Sequence, residues 1–140
     1  MQAGREVKYR AFVHSVKWVV DVVAIDFSIK EVELDMSGTG DTAYYRFDEV
    51  DLLQFTGLRD KNGKEIYEKD IVWVEHALVS NVPSYQAVIE WDKYRFALTK
   101  PNEINYQVGP FPYNNLDPFG LNLEVLGNIY KNPELLEVGK

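Results

Sequence analysis

The 140-residue chain contains no cysteine. That absence removes disulfides, thiolate zinc sites, Fe–S clusters and a cysteine nucleophile together. Histidine is scarce, with His14 and His76 alone, and a serine nucleophile needs both a nearby base and a group to orient it. Neither histidine stands in a recognisable catalytic motif. Glycine-rich phosphate loops of the forms G-x-x-x-x-G-K-[ST] and G-x-G-x-x-G are missing as well. The longest apolar run, Trp18 to Ile25, is interrupted at Asp21 and falls far short of the ~20 residues of a membrane helix. Before it, Glu6, Lys8, Arg10, His14 and Lys17 break any resemblance to a secretory leader. A soluble, cytoplasmic protein without membrane association is therefore expected. Basic charge is in the minority, 15 Lys and Arg against 22 acids for a net of −7, which works against a protein whose affinity comes from neutralising phosphates.

What is present suffices for a core. At 46% hydrophobic, a chain of this length suits one domain and buries roughly 68–70% of its unfolded surface. The charge is unevenly spread: residues 1–18 carry a net of +3, residues 21–55 a net of −7 and residues 56–140 a net of −3. The acidity thus belongs chiefly to the N-terminal hairpins, and an acidic face there suits a basic partner.

Periodicity favours strands almost throughout. Val7 to Val13 alternates, residues 18–25 are β-branched and aromatic, and Val32 and Leu34 face inward on a strand from Glu31 to Asp35. Ser37 to Asp41 is a loop by composition, and Tyr44 to Phe47 restarts a strand. Val50 to Leu58 fits a helical turn or a strand. Asn62-Gly63 marks a hairpin tip with arms Phe55 to Leu58 and Glu65 to Tyr67. Further strands are expected at Ile71 to Val74, Tyr85 to Trp91, Tyr94 to Thr99 and Leu121 to Tyr130. Between them, Pro101 to Gly120 holds four of the six prolines and is read as one irregular segment. Asn132-Pro133-Glu134 supplies an N-cap, a first-position proline and a first-turn acid for one helical turn over Pro133 to Glu137. About eight short strands describe a small antiparallel β-barrel or sandwich. Residues 1–40 form its N-terminal strand extension and residues 41–140 the barrel region of a single domain.

Three stretches carry a family resemblance. Leu53 to Val72 (LQFTGLRDKNGKEIYEKDIV) resembles the long signature of the YopX family, with Lys69 where that family has glycine. Glu124 to Leu136 (EVLGNIYKNPELL) resembles its second signature, and Lys8 to Phe12 its opening. Together they span nearly the whole chain. The resemblance implies a small protein of phage or prophage origin, all-β, with an SH3-like barrel in its C-terminal part. It brings no catalytic residues, no metal and no cofactor.

Several groups qualify as sites and each has a plainer reading beside it. The Arg59–Asp70 hairpin, with Arg59, Lys61 and Lys64, is either a recognition surface or a solvated hairpin whose Asp60, Asn62 and Gly63 serve turn geometry; the second reading is preferred. Gly57 and Gly127 read as bulges or close backbone approaches, and Asp70 as an acceptor for backbone N–H groups of the preceding turn. Glu75 and His76 point to opposite faces of a strand and share no metal directly. Glu90 and Asp92 lie on one face, as paired carboxylates must for acid–base chemistry, but strand alternation alone produces the pattern. Trp91, Lys93 and Arg95 interleave aromatic and basic groups as a nucleic-acid contact does, although pleating buries Tyr94, Phe96 and Leu98 and leaves Lys93, Arg95 and Ala97 outside. Tyr106, Phe111, Tyr113 and Phe119 are contact anchors on a long proline-stiffened loop, or else caps for the barrel end. The expected function is a non-enzymatic interaction module for a host or phage protein, using residues 101–120 and the hairpin. The alternative is a nucleic-acid-binding barrel, and an exposed edge strand makes self-association plausible.

Overall fold

Alternation of inward and outward side chains sets the strands. The computed structural model describes residues 6–76, 83–92, 95–99, 107–110 and 121–137. Eleven strands occur among them: β1 Tyr9–Val13, β2 Trp18–Asp26, β3 Glu31–Asp35, β4 Thr42–Arg46, β5 Val50–Arg59, β6 Glu65–Tyr67, β7 Asp70–His76, β8 Tyr85–Asp92, β9 Arg95–Thr99, β10 Gln107–Pro110 and β11 Leu121–Asn128. Short 3-10 turns cover Phe47–Glu49 and Pro133–Glu137. Among the described residues no helix is long and apolar enough to cross a membrane. The strands form two antiparallel sheets, ordered β4-β3-β2-β1-β5-β6 and β10-β9-β8-β7-β11, and neither order closes on itself. The fold is all-β. No closed barrel is formed by the described strands.

The chain divides into two compact units, Met1–Phe55 and Thr56–Lys140, with the division inside β5. In the first unit Ala11, Val13, Val32, Leu34 and Val50 are buried, with Val20, Val22, Ile25, Tyr45 and Leu52 packed against them. The register explains the selection, because Ala11 sits opposite Val20 and Leu52, and Val32 opposite Ile25 and Tyr45. β2 keeps this pattern only because it carries a bulge between Val22 and Ala24. The extra residue, Val23, is left exposed, and Ile25 returns to the core. The Ser37–Gly40 loop joins β3 to β4 within this sheet; Asp35 Oδ1 accepts the Gly38 N–H at 2.9 Å, and both glycines adopt positive φ. Val50 to Leu58 resolves to strand, since the 3-10 turn ends at Glu49 and β5 pairs with β1.

In the second unit β7, β8, β9 and β10 form a meander, and β11 returns to pair with the other edge of β7. Its core contains Ile66, Val72, Val74, Ala87, Ile89, Phe96, Leu98 and Leu123. Two corrections to the sequence reading arise here. Residues 107–110 are not irregular but form β10, and Pro110 is tolerated because it stands at the end of an edge strand, where a missing N–H costs little. Ala97 is fully buried rather than outside, since this sheet buries residues on both faces of its central strands, Ile71 and Val72 on β7 among them.

Candidate interaction surfaces

The hairpin tip is built around Asp60. Its Oδ1 accepts the backbone N–H groups of Asn62 (2.8 Å) and Lys64 (2.9 Å), and its Oδ2 accepts that of Val125 on β11 (2.9 Å). The last bond has a local cause. β11 is the edge of its sheet, and the Val125 N–H points to its outer side, as the Leu123 carbonyl two residues earlier does, so it has no strand partner there and meets the carboxylate instead. Burial raises the Asp60 pKa, but the three N–H donors and the nearby Lys64 charge together hold it below the ordinary carboxylate value. The Lys61 N–H also donates to the Leu123 carbonyl (3.0 Å).

The remaining motif residues are equally occupied with backbone. Thr56 Oγ1 donates to the Ile66 carbonyl (2.8 Å), and Asp70 Oδ2 accepts the Tyr67 N–H (2.8 Å). Lys69 keeps a positive φ of 72° although it is not glycine. Its N–H donates to the Ile89 carbonyl (2.7 Å), its carbonyl accepts the Ile129 N–H (3.1 Å), and its ammonium pairs with Glu90. Asn128 Oδ1 accepts the N–H groups of Tyr130 (3.0 Å) and Lys131 (2.8 Å). Asn132, expected to cap the final turn, directs Oδ1 backward to the Asn128 N–H (3.2 Å) and lies where a Cβ on Gly127 would be, 2.1 Å away. Gly127 is therefore a close approach of side chain to backbone. The two stretches that resemble one family are joined to each other by these bonds.

The basic side chains singled out earlier are largely paired. Arg59 Nη2 lies 3.2 Å from Glu65 Oε2, and Lys61 Nζ lies 3.5 Å from Glu75 and 3.6 Å from Glu124. Lys64 contributes its charge to Asp60. Trp91 is 49% exposed and meets Phe96 edge-on with ring centroids 5.0 Å apart. Lys93, Tyr106, Phe111, Tyr113 and Phe119 lie outside the described residues, as does the side chain of Arg95. His14 Nε2 and Asp51 Oδ1 are 3.0 Å apart at the surface. Among the described residues no group of three or more His, Asp and Glu is placed to hold a metal.

One surface was missed by sequence reasoning. Where β2 turns into β3, Asp26 Oδ1 accepts the N–H groups of Ser28 (2.9 Å) and Ile29 (3.4 Å), and Lys30 closes the turn at φ 58°. Bonds from the Ser28 hydroxyl and amide keep the Asp26 carboxyl below its ordinary pKa. This turn holds Phe27 and Ile29 out of the core, 74% and 61% exposed. Tyr44, on the neighbouring edge strand β4, is 67% exposed. With Ala24 they line an open cleft of about 360 Å³. The sequence marks a turn near Ser28–Lys30, but not that the apolar residues beside it stay in water.

A family model described as YopX protein matches residues 8–137. Among solved structures, the chain is similar to the crystal structure of protein EF1440 from Enterococcus faecalis, with a TM-score of 0.62 and 26% identity over 95% of this chain and 99% of that one. The comparison with curated proteins finds no match.

Proposed function

The chain belongs to the YopX family, and we propose that it acts as a non-enzymatic protein-interaction module of phage or prophage origin in the cytoplasm of a bacterial host. The phage or prophage origin rests on the family resemblance, and the cytoplasmic compartment is part of the proposal. The interaction role rests on one observation, the exposed apolar cluster of Phe27, Ile29 and Tyr44 around the cleft of the first unit. Contiguous apolar surface held in water marks contact sites, whereas scattered exposed leucines do not. The aromatic side chains of residues 101–120 extend the same reading, with a partner drawn from host or phage proteins. An SH3-like barrel in the second unit belongs to the proposal too. The bulges of β10 and β11 support it, because bulges bend a sheet toward closure.

Affinity capture from bacterial lysate, with and without nuclease, tests the role. A protein retained by the native chain after nuclease treatment, and lost on Phe27→Ser/Tyr44→Ser, supports it. Capture that disappears with nuclease points to the alternative, nucleic-acid binding through residues 91–96. That alternative is favoured by the exposed Trp91 resting on Phe96, a platform on which a base can stack. Filter binding at low salt, with Trp91→Ala as control, measures it directly.

A further inference from the structure

Register, rather than sequence, reveals the charge around the cleft. On the face of the first sheet opposite the core, Asp21 stands across from Asp35, Ala24 from Glu33, and Asp26 from Glu31. On β3's other side, Glu33 faces Tyr44 and Glu31 faces Arg46. Five carboxylates from two adjacent strands thus share one face with Tyr44. Like charges directly opposite on neighbouring strands are unfavourable, and Asp35 is offset by the Gly38 and Gly40 N–H groups that its Oδ1 accepts. Arg10 reaches Asp21 (3.4 Å), and Arg46 turns away to Asp48 (3.2 Å). Among the described residues no lysine or arginine pairs with Asp26, Glu31 or Glu33. These three line the same cleft as Phe27, Ile29 and Tyr44.

Resting on the interaction-module reading, we infer that this face docks an extended basic segment of a partner protein. One apolar side chain of that segment sits among Phe27, Ile29 and Tyr44, and lysines or arginines on either side of it meet Asp26, Glu31 and Glu33. The chemistry selects this occupant. A second copy presenting the same face brings five more carboxylates against these, and a phosphate backbone is repelled outright. An extended segment also suits the place, because β4 borders the cleft as an edge strand whose outer backbone groups have no strand beside them among the described residues.

The test is a selection of random twelve-residue displayed peptides on the full chain, followed by anisotropy with the selected peptide synthesised and labelled. The expected peptides carry Lys or Arg on both sides of an apolar residue. Phe27→Ser/Tyr44→Ser and Glu31→Lys/Glu33→Lys should each weaken binding by about tenfold or more, the second because two exposed charge contacts change from attraction to repulsion. Raising salt from about 0.05 to 0.5 M should weaken it comparably. Unchanged circular dichroism and Tm in both variants establish that the fold is kept. Selected peptides without basic residues, or binding indifferent to both variants, overturn this assignment and leave the interaction role standing on another surface. No selected peptide at all counts against both. A dimer in sedimentation that Tyr44→Ser abolishes replaces the basic segment with a second copy and overturns the assignment.

Discussion

Replacing Asp60 by alanine removes the acceptor of three backbone N–H groups. Hydrogen bonds to a charged group are worth roughly 1.5–3 kcal/mol each, and a buried donor left without a partner costs about 1–3 kcal/mol. The Asn62 and Lys64 N–H groups lie in a turn that water reaches, so much of their loss is recovered. The Val125 N–H is half-buried on the outer side of the edge strand β11, with no ladder partner to take over. The expected loss is therefore about 3 kcal/mol, dominated by Val125. Asp60→Asn keeps the shape and one carbonyl oxygen but turns an amide N–H toward a donor, for a loss of about 2 kcal/mol. Urea unfolding at pH 7, followed by circular dichroism and tryptophan fluorescence, reads both as a lowered midpoint, by about 1 M or more for alanine. The pH dependence carries an independent sign. Because the folded pKa of Asp60 lies below its unfolded value, its stabilisation is complete above the unfolded pKa and disappears as pH falls through the folded one. The gap between native chain and Asp60→Asn should thus stay constant from about pH 7 to 5 and close below about pH 4. A loss under about 0.5 kcal/mol for alanine, within the range of ordinary surface substitutions, would refute the reasoning.

Gly127→Ala places a methyl group on Asn132 Oδ1 and displaces it from the Asn128 N–H, for an expected loss of about 1–2 kcal/mol; with Asn132→Ala already present, thermal unfolding should show little added cost. Lys69→Gly should be more stable than Lys69→Ala by about 0.5–1 kcal/mol, because both lose the Glu90 pair but only alanine keeps a Cβ at φ 72°; equal midpoints in urea contradict the left-handed turn. Phe27→Ser and Tyr44→Ser, whose side chains are largely in water, should change stability by less than about 0.5 kcal/mol each. A drop of 2 kcal/mol in calorimetry would place these rings in the core.

Local chemistry was legible in the sequence. Asn62-Gly63 marked its hairpin because the turn demands positive φ, which Gly63 adopts at 84°, and Asp70 accepts the turn N–H assigned to it. Alternation located β1, β3 and β8 to within a residue or two. Long-range partners were not legible. Nothing between positions 60 and 125 announces that Asp60 satisfies Val125, because which groups of β11 face outward becomes visible only once it is set against β7. For the same reason the β-branched and aromatic run from Trp18 to Ile25 did not reveal its bulge, which leaves Val23 exposed. Asp21, Glu31, Glu33 and Asp35 appeared as an excess of acid in one segment, and pairing was needed to gather them on one face beside Tyr44. Lys69 showed that a departure from glycine need not change the turn, since its backbone bonds to Ile89 and Ile129 hold the conformation.

In the function proposed above, the family's two signature stretches hold the fold and the exposed face of the first unit makes the contact. Hydrogen-exchange mass spectrometry of the full chain, free and saturated with the selected basic peptide, tests that division directly. Protection gained over residues 24–33 and 42–46, with residues 59–70 and 124–132 already slow to exchange in the free protein, is the predicted result. Protection gained at residues 59–70 or 91–96, with residues 24–33 unchanged, would contradict it.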